Sequence, residues 1–242
     1  MKLWKKILLA LAALVVLAII VGGAGVWLLT KFAGSRDRYA KMSEAQLKEA
    51  IAKDPKNIEP HRYLGLYYSL KANRCQSAVE QKDLYRASNK EYKAAYDLGT
   101  DQSRGYVLQY LAWAAWRAGD KAAAGRYAGI MVKDTSTDWN HDNNIHHGHT
   151  ILGLVAIGRG DVKTARSELT LSGAVTGSPQ LKSVGPQMTL AKALLDRGDK
   201  EAVINYFAAC EKFWRMDWGK LKKWTKMVRA GERPDFGGNL IY

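Results

Sequence analysis

A short turn motif recurs three times at near-constant spacing and limits what this chain can fold into. Arg117-Ala-Gly-Asp120, Arg159-Gly-Asp161 and Arg197-Gly-Asp199 each close one apolar, helix-periodic stretch and open another. Their glycines, Gly119, Gly160 and Gly198, lie 41 and 38 residues apart. Glycine lets the first helix end in a left-handed residue, and the Asp after it can cap the next helix through its carboxylate. From Met42 onward no strand-like alternation competes with this rhythm, and a period of about 40 residues marks repeated helical pairs that cannot bury their apolar faces without a neighbour. The expected fold is therefore all-α, a stack of helical hairpins with a groove along it as the binding surface.

The residues around each marker resemble the tetratricopeptide consensus, in which a Leu-Gly pair and a later aromatic lie on the first helix and an Ala opens the packed face of the second. Leu152-Gly153 with Ala156 and Ala165 fit best. Leu64-Gly65 with Tyr68, Leu111-Ala112 with Ala124, and Leu190-Ala191 with Phe207 mark three other units. Ser43 to Pro55 reads as a lone second helix with Leu47, Ala50 and Ile51 inward. The second helix of the first full unit, with Ser88, Tyr92 and Ala95, starts late, which predicts a projecting insertion over residues 73–82. The C-terminal half is also similar to an uncharacterised bacterial family of tetratricopeptide-like proteins. It shares the phrases His147-Gly-His-Thr-Ile-Leu-Gly153, Gly177-Ser-Pro-Gln180, Gly185-Pro-Gln-Met188 and Pro234-Asp-Phe-Gly237. That resemblance implies a fold and no activity.

Ahead of the repeats, residues 7–30 are uncharged and almost wholly apolar. Their length, about 36 Å as a helix, spans a bilayer and exceeds the apolar core of a cleaved signal peptide. No Cys follows the run, which excludes a lipoprotein. The expected organisation is a cytoplasmic stub at 1–6, a transmembrane anchor at 7–30, a linker at 31–42, tetratricopeptide-like repeats at 43–213, and a capping helix with tail at 214–242. Lysines at 2, 5 and 6 nearly balance the basic residues beyond the anchor, but long domains translocate largely regardless of charge. The soluble domain is thus expected outside the cytoplasm, periplasmic or extracellular, on a single-pass membrane protein.

The net charge of +14 sits at the two ends. Seven basic residues against Asp37 give +6 around the anchor, eight against Asp217 and Glu232 give +6 from Lys212 to Arg233, and the long middle keeps +2. This suits lipid headgroups or an acidic partner rather than nucleic acid, which needs a basic stripe across the folded domain. Trp214 to Arg229 reads as a closing helix. Trp214, Trp218, Leu221, Trp224 and Val228 share its apolar arc, and Lys220, Lys222, Lys223, Lys226 and Arg229 form the opposite arc, the candidate partner or headgroup surface.

Four of the five histidines crowd into residues 138–149. His146 and His149 share a helical face, and His141 or Asp142 could complete a zinc site with them. No His-Glu-x-x-His accompanies them, and no nucleophile elbow, phosphate loop or dinucleotide fingerprint occurs elsewhere. The expectation is a protein without enzymatic activity, cofactor or resident metal. Tyr63, Tyr67, Tyr68, Tyr106, Tyr110, Trp113 and Trp116 recur at helical spacing, mostly as core. Cys75 and Cys210 should lie too far apart to bridge. The reading is a membrane-anchored scaffold or assembly subunit that binds membrane protein subunits, with the bilayer met through residues 7–30 and anionic headgroups as a further contact. The alternative is an extracytoplasmic ligand- or metal-binding protein that uses residues 138–149.

Overall fold

A computed structural model describes residues 38–241. The expected stub and anchor lie outside them, as do residues 31–37 and Tyr242. Among the described residues the chain is all-helical. None of these helices is long and apolar enough to cross a membrane.

The described residues fall into two compact units, 38–55 and 56–241. The first contains α1 (Glu44–Lys53), opened by a reciprocal cap in which Ser43 Oγ accepts from the Gln46 amide and Gln46 Oε1 accepts from the Ser43 amide. Leu47 is buried, while Ala50 and Ile51 are half-buried.

The second unit is a run of four hairpins: α2 (Ile58–Arg74) with α3 (Ala78–Leu98), α4 (Asp101–Ala118) with α5 (Lys121–Met131), α6 (His141–Gly158) with α7 (Val162–Ser172), and α9 (Thr189–Leu195) with α10 (Lys200–Cys210). A short α8 (Pro179–Ser183) precedes the last hairpin; α11 (Lys220–Arg229) and a 3-10 turn (Gly237–Leu240) follow it. Each hairpin packs on the next, α4 meeting α6, α6 meeting α9, and α7 meeting α10. The first helices of the last three hairpins therefore touch one another along the stack.

The three Gly-Asp turns share one construction. Gly119, Gly160 and Gly198 have φ of 90°, 80° and 84°. Behind them the amides of Asp120, Asp161 and Asp199 donate five residues back, to the carbonyls of Ala115, Ala156 and Leu194 at 2.9, 3.0 and 3.1 Å. Each Asp carboxylate then accepts from an amide in the first turn of the next helix, at Ala123, Thr164 and Ala202. One two-residue unit ends a helix and starts another. The same ending recurs at Gly231, with φ of 83° and Glu232 N donating to Met227 O at 2.9 Å. The Leu-Gly glycines mark close approach: a Cβ on Gly153 would lie 2.2 Å from Leu190, where α6 and α9 cross, and one on Gly65 would lie 2.9 Å from the Tyr92 ring of α3.

Two expectations require correction. Residues 73–82 are not an irregular insertion; they finish α2, make the turn and begin α3, with residues 76–80 exposed at the tip of the hairpin. The extra residues lengthen both helices, because nothing between Ile58 and Leu98 stops helix propagation except the Ser77 cap, whose side chain accepts from Glu80 N. The closing helix starts at Lys220, not Trp214. Trp214 lies in the turn before it, is buried, and stacks beside Trp224 at 5.9 Å between ring centroids. Cys75 is in the α2–α3 turn and Cys210 is buried at the end of α10, both as free thiols. Of the seven aromatics expected mainly in the core, Tyr68 and Trp113 are buried, Tyr110 is exposed against Tyr92, and the rest are half-buried.

Candidate functional site

Most of the histidine-rich segment is helical from its first His onward: His141, His146, His147 and His149 all lie on α6. His146 is fully buried. Its Nδ1 donates to the Ser172 carbonyl at 2.8 Å, so the proton sits there, and its Nε2 accepts from the Gln187 amide at 2.9 Å. Both ring nitrogens are committed, which leaves no lone pair for a metal ion. Burial pushes this imidazole down to about 4. His147 accepts from the Trp113 indole N–H at 3.0 Å, and burial, then His146 and Arg117, hold it well below the ordinary histidine value. His149 meets Glu168 at 2.7 Å. The three candidate ligands are thus not brought to one centre: among the described residues no group of three or more His, Cys, Asp or Glu side chains could hold a metal ion.

The polar neighbours of these histidines form a buried knot. Ser178 donates to Asn143 at 2.6 Å, Asn143 donates to Asn140 and Gln180, and Asn144 donates to Asp134 at 2.7 Å. Gln187 accepts from the Tyr206 hydroxyl at its carbonyl and from the Thr189 amide at its side chain. The segment between α7 and α9 is therefore fastened to α6 and α10 by hydrogen bonds rather than by apolar contact alone. At Gly185, with φ of 101°, a Cβ would lie 2.2 Å from the Trp214 ring. That glycine is needed for both conformation and space.

Sequence reasoning missed the role of the tail. Phe236 packs into the ring cluster of Phe207 and Trp224, at 6.1 and 5.0 Å. Beyond it Asn239 is buried, its side chain donating to the carbonyls of Val184 and Pro186 and its own carbonyl accepting from Met188 N at 2.8 Å. The Leu240 carbonyl accepts from Thr189 Oγ1 and from Arg117. Arg117 also donates to Asn73 and Tyr85, so it joins α2, α3 and α4 to the C-terminus. Arg117 of α4 and Thr189 of α9 are thus both held by the chain's own tail. Asn239, just past the phrase at 234–237, thus meets Pro186 and Met188 of the phrase at 185–188, while Ser178 and Gln180 of the phrase at 177–180 are bonded to Asn143 on α6.

The remaining candidates, Lys220, Lys222, Lys223, Lys226 and Arg229, are exposed along α11, while Leu221, Trp224 and Val228 are buried beneath. Lys220 sits 5.5 Å over the Trp214 ring. Among the described residues none of the five forms an ion pair with a carboxylate. Lys222, Lys223, Lys226 and Arg229, with Glu211, Gly219 and Thr225, line an open hollow of about 690 Å³. Trp218 departs from expectation. It is 81% exposed, outside the apolar arc it was assigned to, and has φ of 53° immediately before Gly219 at 76°. A left-handed backbone at a residue this bulky costs about 1–3 kcal/mol.

No protein-family model, curated protein or solved structure matches the chain. The class rests on the residues themselves: an all-helical stack of hairpins with a buried polar knot and a basic closing helix.

Proposed function

We propose that this protein is a membrane-anchored scaffold, an accessory or assembly subunit of tetratricopeptide-like hairpins that holds other membrane protein subunits and catalyses nothing itself. Residues 7–30 cross the bilayer, residues 1–6 stay in the cytoplasm, and the hairpins lie periplasmic or extracellular, against the membrane. The observation that carries this reading is α11: a helix packed through Leu221, Trp224 and Val228, with five exposed cations and, among the described residues, no carboxylate paired to them. Surface charge of one sign on an ordered element is unfavourable by itself and is relieved by an anionic surface. The side chains best suited to chemistry, His146 and His147, are spent on internal hydrogen bonds.

Purification of the full chain from native membranes in mild detergent tests the reading. Membrane proteins at fixed stoichiometry are the expected result. A chain that elutes alone at low and high salt, or as a monomer carrying one zinc, overturns it.

A further inference from the structure

We infer that the turn before α11 and the basic face behind it form one membrane-contact element, which seats Trp218 and Met216 at the interface of an anionic bilayer. The inference rests on the proposed membrane scaffold and names what its basic face touches. Three features on this one side of the molecule converge. Trp218 and Met216 are 81% and 47% exposed, in a turn where neighbouring Trp214 is buried, so the apolar surface is displayed locally rather than shared with the core. Consecutive left-handed residues at Trp218 and Gly219 hold the indole outward, a conformation that a turn meant only to connect α10 and α11 does not need. Indole rings favour the headgroup layer, where an apolar body and a polar N–H both find partners.

The cations next to this turn discriminate between lipid and protein. Four of the five on α11 are lysines, Lys220, Lys222, Lys223 and Lys226, with Arg229 the exception. Protein interfaces favour Arg and deplete Lys, because a planar guanidinium can pair bidentately when desolvated, whereas an ammonium holds its water. A polybasic, lysine-rich helix flanked by an exposed Trp is instead the pattern of an element lying on anionic headgroups. The hollow between Glu211 and Lys226 is open to solvent, which lets phosphates approach Lys222, Lys223, Lys226 and Arg229 without burying any of them.

The test uses the full chain reconstituted into protein-free vesicles, with an environment-sensitive fluorophore on Met216→Cys in a Cys75→Ser background; buried Cys210 is inaccessible to label. With about 30% phosphatidylglycerol the emission should shift to the blue and rise at least about twofold over phosphatidylcholine vesicles. The rise should vanish in the K222E/K223E/K226E variant and shrink at about 0.5 M salt, where screening shortens charge interactions. Unchanged emission on anionic vesicles overturns the inference, and so does an equal rise on zwitterionic ones. Circular dichroism establishes that the variant is folded; if it is not, the salt series on the unreversed protein decides alone. No partner is present, so failure here leaves the scaffold reading standing, and failure of the purification leaves this one standing.

Discussion

The α2–α3 hairpin is tied to itself through Ser69, Ser88 and the Gly65 carbonyl, and meets α4 through a small cluster of Tyr92, Ala95, Val107, Leu111 and Ala114. From Leu108 onward one continuous core runs through α4 to α11 and takes in Phe236 from the tail. The first region is held mainly by neighbours in sequence, with Arg117 as its link to the tail. The second adds bonds from residue 143 to 178, 146 to 187 and 188 to 239. A stack of repeats ordinarily gains stability only from adjacent units. Here the C-terminal hairpins are also cross-linked by an inserted segment and a tail, so the two ends should unfold differently.

The largest expected effect tests the shared core. Phe207→Ala removes a fully buried ring that touches Tyr206, Trp224 and Phe236, and should cost about 3–5 kcal/mol in chemical denaturation. Hydrogen exchange should show α6 to α11 losing protection together, while α2 and α3 keep most of theirs. Equal loss at both ends would erase the contrast.

Acid should act selectively as well. His146 is held neutral in the fold at about 4 against an ordinary 6.5, so between those values the unfolded chain binds a proton that the folded chain does not. Stability is therefore complete above about pH 6.5 and falls as pH drops towards 4, by about 3 kcal/mol for this group at 1.36 kcal/mol per unit. His147 adds loss of the same sign. Denaturation midpoints from pH 7 to 4.5, with and without His146→Gln, check this: the variant should start less stable and show a flatter pH dependence. The smallest effect concerns the tail. Asn239→Ala removes two side-chain donors from buried carbonyls and should cost about 1–3 kcal/mol, with protection lost first around Met188 and Thr189.

What the sequence disclosed follows the range of the forces involved. The Gly-Asp turns were legible because left-handed residue and cap are adjacent and act locally. Helicity of Lys220–Arg229 was legible from its period, but its start was not: Gly219 and Trp218 take left-handed backbone, and Trp214 is held by Gly185, a contact 29 residues away in sequence. Periodicity extrapolated past that break placed Trp218 inside. The histidines were conspicuous as a cluster, yet their partners Ser172, Gln187 and Trp113 lie on other elements, and no spacing rule pairs them.

The hydrogen bond from Arg117 to Leu240 joins residues 123 positions apart. During synthesis, Arg117 and Thr189 emerge long before the carbonyl that receives them, so the hairpins can stack early but cannot be locked until Leu240 has left the ribosome. Through that interval Arg117 would have Asn73 and Tyr85 as partners but not the Leu240 carbonyl. A chain in which Asn239 could not dock would keep every hairpin and lose the clasp, leaving the Met188 amide and the carbonyls of Val184 and Pro186 without the partner Asn239 supplies. Docking of this segment is in this way a late physical condition on the fold, one that a protease sampling loose segments could read.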